Sequence, residues 1–216
     1  MEFMPLYLSA KLATIATIVL IMISAPLAYF LVFLKWPGKS FVEALISLPI
    51  ALPPTVIGFY LLYIMGPRGC GGAVWEKIFG GSLLFTFTGI VIATVIYSLP
   101  FAMQPIKAAF EKLDVRLREN AYVLGLSPVA TFFRVIVPNS INGITAGAIL
   151  VFLHSMGAFG VILMVGGSVT GETRVASIAI YEAVETMDYK TAWMLSLAFL
   201  PISYFFLLVV NKLTRN

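Results

Sequence analysis

The chain has 216 residues, of which 60% are hydrophobic and only 11% charged, and its formal net charge is +4. A soluble domain carries roughly a quarter charged residues, so this composition excludes a water-soluble globule. The basic residues are scattered among apolar runs and form no stripe with interleaved aromatics, which sets nucleic acid aside as a partner.

In lipid the useful unit is a spanning helix of about 20 apolar residues. The chain opens Met1-Glu2-Phe3-Met4-Pro5 and then stays apolar for longer than a cleavable leader would, so the first segment is expected to be retained. Cutting at the charges leaves uncharged runs over 12–34, 44–67, 78–106, 135–171 and 191–211. They predict helices near 12–34, 44–66, 80–106, 138–165 and 191–211, in a single membrane domain over 1–216. Leu48-Pro49 and Leu52-Pro53-Pro54-Thr55 break the second run, either lining a cavity or fitting a kink against neighbours. Gly143 and Gly147 form a small-xxx-small pair suited to close helix contact. The fourth run exceeds one span and should stop near Val165, before Gly166-Gly167-Ser168-Val169-Thr170-Gly171.

The connection over 107–134, with its centre at 112–130, predicts two short helices around Asp114-Val115-Arg116. Glu119 is expected early in the second, where the helix dipole favours an acid, and Gly125 to Pro128 should stop it. The segment 174–188 is too short to span. It gathers Val175, Ile178, Ala179, Ala183 and, less regularly, Val184 opposite Ser177, Glu182 and Glu185. Two readings are open for it: an interfacial helix packed on the bundle, or a lining for the outer mouth of a pathway.

Lys35, Lys39, Lys107, Lys112, Arg116, Arg118, Arg134, Lys212 and Arg215 fall on one side of a five-span topology. Lys11, Arg68, Lys77, Arg174 and Lys190 fall on the other, accompanied by Glu2, Glu76, Glu172, Glu182, Glu185 and Asp188. The more basic side should face the cytoplasm, leaving the N-terminus outside and the C-terminus inside.

None of the five runs contains Asp, Glu, Lys or Arg, whereas a proton-coupled carrier usually keeps a titratable stop at membrane depth. His154 is the one intramembrane histidine, read either as a hydrogen-bonded bundle residue or as a contact for a passing anion. No metal-ligand spacing and no nucleophile with a base partner point to catalysis, so the chain is read as non-enzymatic. Its nearest approach to a phosphate-binding loop, Gly166-Ser168-Gly171-Glu172-Thr173, has Glu where that loop needs Lys. Energy for active transport would come from another subunit. A passive anion channel and a membrane anchor stay open on these absences.

Glu119-Asn120-Ala121, Gly125 and Val135-Ile136-Val137-Pro138 resemble the signature of the membrane subunits of ATP-binding-cassette importers: Glu-Ala-Ala, three residues, Gly, nine residues, then Ile, any residue, Leu, Pro. Asn120, Val135 and Val137 depart from it conservatively. Pro37-Gly38-Lys39, Leu52-Pro53-Pro54, Met65-Gly66-Pro67-Arg68-Gly69, Asp114-Val115-Arg116-Leu117 and Gly171-Glu172-Thr173-Arg174 extend the resemblance to the molybdate permease branch, with sulfate permeases similar. Members often carry an acidic residue and an arginine around 152–160; Ala158 and His154 here do not supply that pair.

The resemblance implies an all-α type I importer permease fold of about five transmembrane helices with a cytoplasmic coupling helix. It also implies a homodimer in membrane lipid, two ATPase subunits that hold ATP and Mg, and an external molybdate-binding protein. The chain itself would need no cofactor and no metal. Glu119, Ala121, Leu124, Gly125, Leu126, Ser127, Pro128 and Pro138 would couple to the ATPase, with Gly125 allowing close approach. Pro53, Pro54, Thr55, His154, Ser155, Gly157, Gly160 and Thr170 are the candidates for the path or gate, in a molybdate or tungstate importer of the cell membrane.

Overall fold

The computed structural model describes residues 3–34 and 36–215, with Val210, Leu213, Thr214 and Arg215 described by backbone alone. Glu2 and Lys35, used above to orient the chain, lie outside the described residues, as does the Arg215 side chain. All regular structure among the described residues is helical.

Helix α1 (Met4–Phe33) packs along α5 (Phe87–Glu111) and α9 (Ile141–Gly157), and these three form the centre of the bundle. Leu12, Ala13, Ala16, Leu20, Ser24 and Ala28 put one mostly small face of α1 inside. Leu20, Ala102 and Val151, one from each helix, meet in a buried cluster. The opposite face of α1 is just as apolar, with Ile18, Met22, Ile23 and Phe30 exposed. A helix bundle surrounded by lipid has that pattern, because small residues let backbones approach while large ones face the acyl chains.

Three helices, α1, α5 and the 189–209 part of α12 (Tyr189–Arg215), are long and apolar enough to cross a membrane. The count rises to five if each of two bent pairs is one span. The first pair, α2 (Lys39–Ala51) and α3 (Pro54–Met65), turns by 114°. Leu52 precedes Pro53 and Pro53 precedes Pro54, and a residue before proline is pushed from helical into extended backbone. Both are extended here, with ψ of 144° and 140°. The second pair bends by 76° at Ser140, between the 128–139 segment and α9.

Helix limits differ from those drawn at charges. α1 starts at Met4, not near residue 12, and carries Lys11 within it; the Lys11 ammonium lies 4.4 Å from the centre of the Phe87 ring, which supplies a favourable contact for the charge. The uncharged stretch over 80–86 is not helical: Gly80 and Phe85 have positive φ, and Thr86 caps α5 by accepting from the Gly89 amide at 3.1 Å. A separate helix α4 (Cys70–Phe79) precedes it. The fourth segment is interrupted at Ala158 and Phe159 before α10 (Gly160–Gly166). Ser177, on α11 (Ala176–Glu185), donates to the freed Ala158 carbonyl at 2.7 Å. Val175, Ile178, Ala179 and Ala183 of the α11 region are buried as their spacing predicts, while Val184 is exposed.

The two ends of the bundle are distinct. At the start of α1, Ser9 accepts from the Ala176 amide at 2.9 Å and fixes α11 there. At its far end, about 45 Å away at 1.5 Å per residue, Lys107 of α5 pairs with Glu43 of α2 at 2.6 Å.

Candidate functional site

Between α5 and α9 the chain projects as a knob. α5 continues to Glu111, so what was expected as the first short helix is its last turns. The Asp114 carboxylate accepts from the Arg116 amide at 2.9 Å and caps α6 (Val115–Val123). Glu119 therefore sits mid-helix, and Asp114 holds the position where the dipole favours an acid. At the other end the Leu126 amide donates to the Ala121 carbonyl and the Gly125 amide to that of Tyr122, closing a Schellman motif. Gly125 has φ +80°, the left-handed backbone that favours glycine. Ser127 then caps α7 (Pro128–Thr131) by accepting from the Ala130 amide at 3.2 Å, with Pro128 in its first turn.

The rest of the signature anchors the knob. Phe132–Ile136 is a π-helical segment followed by α8 (Val137–Asn139). Pro138 has no amide hydrogen to continue the ladder. Phe132 and Ile136 are buried among Ala28, Leu31 and Phe110, while Pro138 is exposed. At the knob's tip Val123 and Leu124 are 86% and 80% exposed, beside exposed Val129. Ala121 is buried, Glu119, Ser127 and Pro128 are exposed, and Leu126 is half-buried.

A second feature is a cleft of about 500 Å³ where both interrupted segments meet the middle of α5. It is lined by Pro54, Thr55, Tyr97, His154, Gly157, Gly160 and neighbouring residues of the α9–α10 break. The structure thus brings together five of the path candidates: Pro54, Thr55, His154, Gly157 and Gly160. Pro53 adjoins the cleft as the residue before α3 without lining it. Ser155 points into the bundle, with its hydroxyl 3.4 Å from that of Ser98. Thr170 lies at the α1-start end, in a small cavity with Met4, Pro5, Gly171 and Arg174.

The His154 ring stacks on Phe101 with centroids 3.9 Å apart, and Tyr97 lies 4.8 Å away. Its Nε2 is buried and has no hydrogen-bond partner among the described residues, so the reading of a hydrogen-bonded bundle histidine finds no partner at that atom. Sequence reasoning missed Tyr97 and Phe101; their i, i+4 spacing on α5 places them on one face, but aromatic residues are common throughout this chain. Gly160 lies close against α3, where a Cβ would stand 3.3 Å from Pro54 Cβ.

The family described as the inner membrane component of binding-protein-dependent transport systems matches residues 17–216. The chain belongs to that family. It is 40% identical over 208 residues to the molybdenum transport system permease protein ModB of Azotobacter vinelandii, covering 96% of this chain and 92% of that one. It is 32% identical over 205 residues to a probable sulfate transport system permease protein of Zygnema circumcarinatum, covering 95% of this chain and 70% of that one. Its fold is that of the type I importer permeases: it superposes on a bacterial ABC transporter that imports the acidic polysaccharide alginate with a TM-score of 0.77 at 16% identity, over 99% of this chain and 78% of that one. As an inner membrane component the chain is a multi-pass membrane protein of a transport family, and membership implies a binding protein and an ATPase as partners.

Proposed function

We propose that this chain is the translocation subunit of an ATP-driven importer that carries molybdate, working as a homodimer with two ATP-binding-cassette subunits and an external molybdate-binding protein. The observation that carries the reading is the knob: the signature segment folds into a capped, projecting helix pair that holds two apolar side chains, Val123 and Leu124, out in the open. The ATPases dock there and bind the ATP and Mg; this chain performs no catalysis and needs no cofactor. The knob faces the cytoplasm, the N-terminus is outside and the C-terminus inside. Closure of the ATPases moves the knobs and opens the path.

An oxyanion does not cross hydrocarbon, so it needs a polar, alternately opened route, and irregular backbone at membrane depth is tolerated where it lines one. The cleft between the α2–α3 and α9–α10 breaks supplies it. The first turn of α3 and the Thr55 side chain open on it, and a helix N-terminus favours negative charge. His154 and Tyr97 contribute the remaining polar groups.

The deciding experiment is uptake of labelled molybdate into proteoliposomes that hold this chain and its ATPase, with binding protein outside and tungstate and sulfate as competitors. Uptake that needs all three components and ATP supports the importer, while flux without ATPase identifies a channel. The likeness to a sulfate permease gives the second reading, and preferential inhibition by sulfate would favour it. In the same assay His154→Leu is expected to lower uptake by about threefold to tenfold with assembly intact, the worth of one hydrogen bond. His154→Gln, which keeps a donor, should retain most of it. Equal uptake by both variants would return His154 to a packing role.

A further inference from the structure

Polar and charged side chains that neither docking nor the path uses gather at the root of the knob. Arg118 and Tyr122 are four residues apart on α6 and so share a face. Tyr29 and Phe33 are four apart on the last turns of α1. The Arg118 guanidinium carbon lies 4.9 Å from the centre of the Phe33 ring, and the Tyr122 hydroxyl lies 3.5 Å from that of Tyr29. The two pairs run in opposite order along their helices, so α6 is fastened to α1 at two points one turn apart.

The α1 side of each fastening is held in place by a buried ring. Phe33 stacks on Phe110, with centroids 6.3 Å apart, and Tyr29 meets Phe132 edge to face at 5.5 Å. Phe110 and Phe132 are both buried. Arg118 makes no ion pair among the described residues, and its Nε is buried without a hydrogen-bond partner. A guanidinium whose Nε is shielded against a ring gains more from that contact than a fully exposed one does.

We infer that Arg118 and Tyr122 are positioning residues that make α1 move with the knob. Along the chain the knob connects to α5 and, through the π-helical segment and α8, to α9, and Phe132 already packs that root on Tyr29 of α1; the two contacts extend the link with α1 up onto α6 itself. α1 meets α9 at Leu20 and Val151, and Val151 lies one turn before His154 of the cleft. Displacement of the knob thereby reaches the cleft along α1, past Pro26, where the helix lacks one ladder hydrogen bond. The inference rests on the docking reading of the knob.

The test uses the assembled complex of permease, ATPase and binding protein in proteoliposomes, with co-purification of the ATPase, ATP hydrolysis and uptake measured on the same preparations. Arg118→Met, which keeps an apolar stem, and Phe33→Leu should hold the ATPase and hydrolyse ATP as the unsubstituted complex does. Their uptake per ATP should fall by roughly threefold to tenfold, the scale of one half-buried cation–π contact. The double variant should be no worse than Phe33→Leu alone, because that substitution already removes the contact Arg118 makes. Phe33→Trp, which restores an aromatic face, should retain coupling, and Tyr122→Phe should lower it with little change in volume. Unchanged uptake per ATP in both single variants would overturn the inference. So would equal losses in Phe33→Trp and Phe33→Leu, or loss of the ATPase from Arg118→Met. Failure of the docking reading looks different: the unsubstituted chain would not hold the ATPase, or Leu124→Asp would still hold it.

Discussion

Leu124→Asp is expected to abolish co-purification of the ATPase, and with it all ATP-dependent uptake, while the permease stays folded in the membrane. Leu124 is 80% exposed, so the substitution removes no core contact in the isolated chain. An apolar side chain so placed is worth about 1.5–3 kcal/mol when a partner buries it. Aspartate forfeits that gain and adds an unpaired charge to the contact, a cost of several kcal/mol, so affinity should fall by more than about a hundredfold. Gly125→Asp is expected to give the same loss for a related reason. A side chain at Gly125 meets nothing within 4 Å in this chain. Aspartate is among the residues that visit a left-handed backbone, so the substitution strains the turn after α6 by about 1–2 kcal/mol without a clash inside this chain. The close approach expected at Gly125 therefore belongs to the partner, whereas its φ of +80° belongs to the Schellman turn. Uptake retained by both variants, with the thermal transition of the permease unchanged, would remove the docking assignment.

What was legible in the sequence was whatever lipid enforces locally. Apolar runs announce helices because every backbone group in hydrocarbon must be satisfied within the segment or the bundle. The α2–α3 break was announced by Pro53 and Pro54, whose steric effect on the preceding residue acts without tertiary context. Charges, by contrast, mark the lipid boundary and not the helix end, which is why Lys11 lies inside α1 and the uncharged 80–86 stretch lies outside any helix. The break at Ala158 and Phe159 contains no proline; it is held by Ser177 reaching across from α11, a contact between residues 19 positions apart. Tyr97, Phe101, Arg118 and Tyr122 were illegible for the same reason. Each acquires its meaning from a residue on another helix, His154 or the α1 aromatics, and periodicity within one helix carries no information about that partner.

Gly143→Leu is expected to prevent the bundle from forming, where Gly157→Leu leaves it intact and blocks transport. A Cβ at Gly143 would overlap the Ala109 side chain and stand 2.9 Å from the Pro105 carbonyl oxygen, and one at Gly147 would lie 3.2 Å from that of Ala102. At Gly143 the obstacles include α5 backbone, so α9 must separate from α5 to admit a side chain, whereas at Gly147 the contact is only tight. Without a hydrophobic drive between helices in lipid, that separation forfeits the van der Waals contact that holds the pair. Gly143→Ala alone should cost about 1–3 kcal/mol, and leucine more. Gly157 is the opposite case: nothing lies within 4 Å of its Cβ position, and it lines the cleft. Thermal unfolding in detergent should therefore separate the two, with a lowered transition or no folded yield for Gly143→Leu and an unchanged one for Gly157→Leu. Uptake should vanish in both. If Gly157→Leu transports as the unsubstituted chain does, the cleft is not the path.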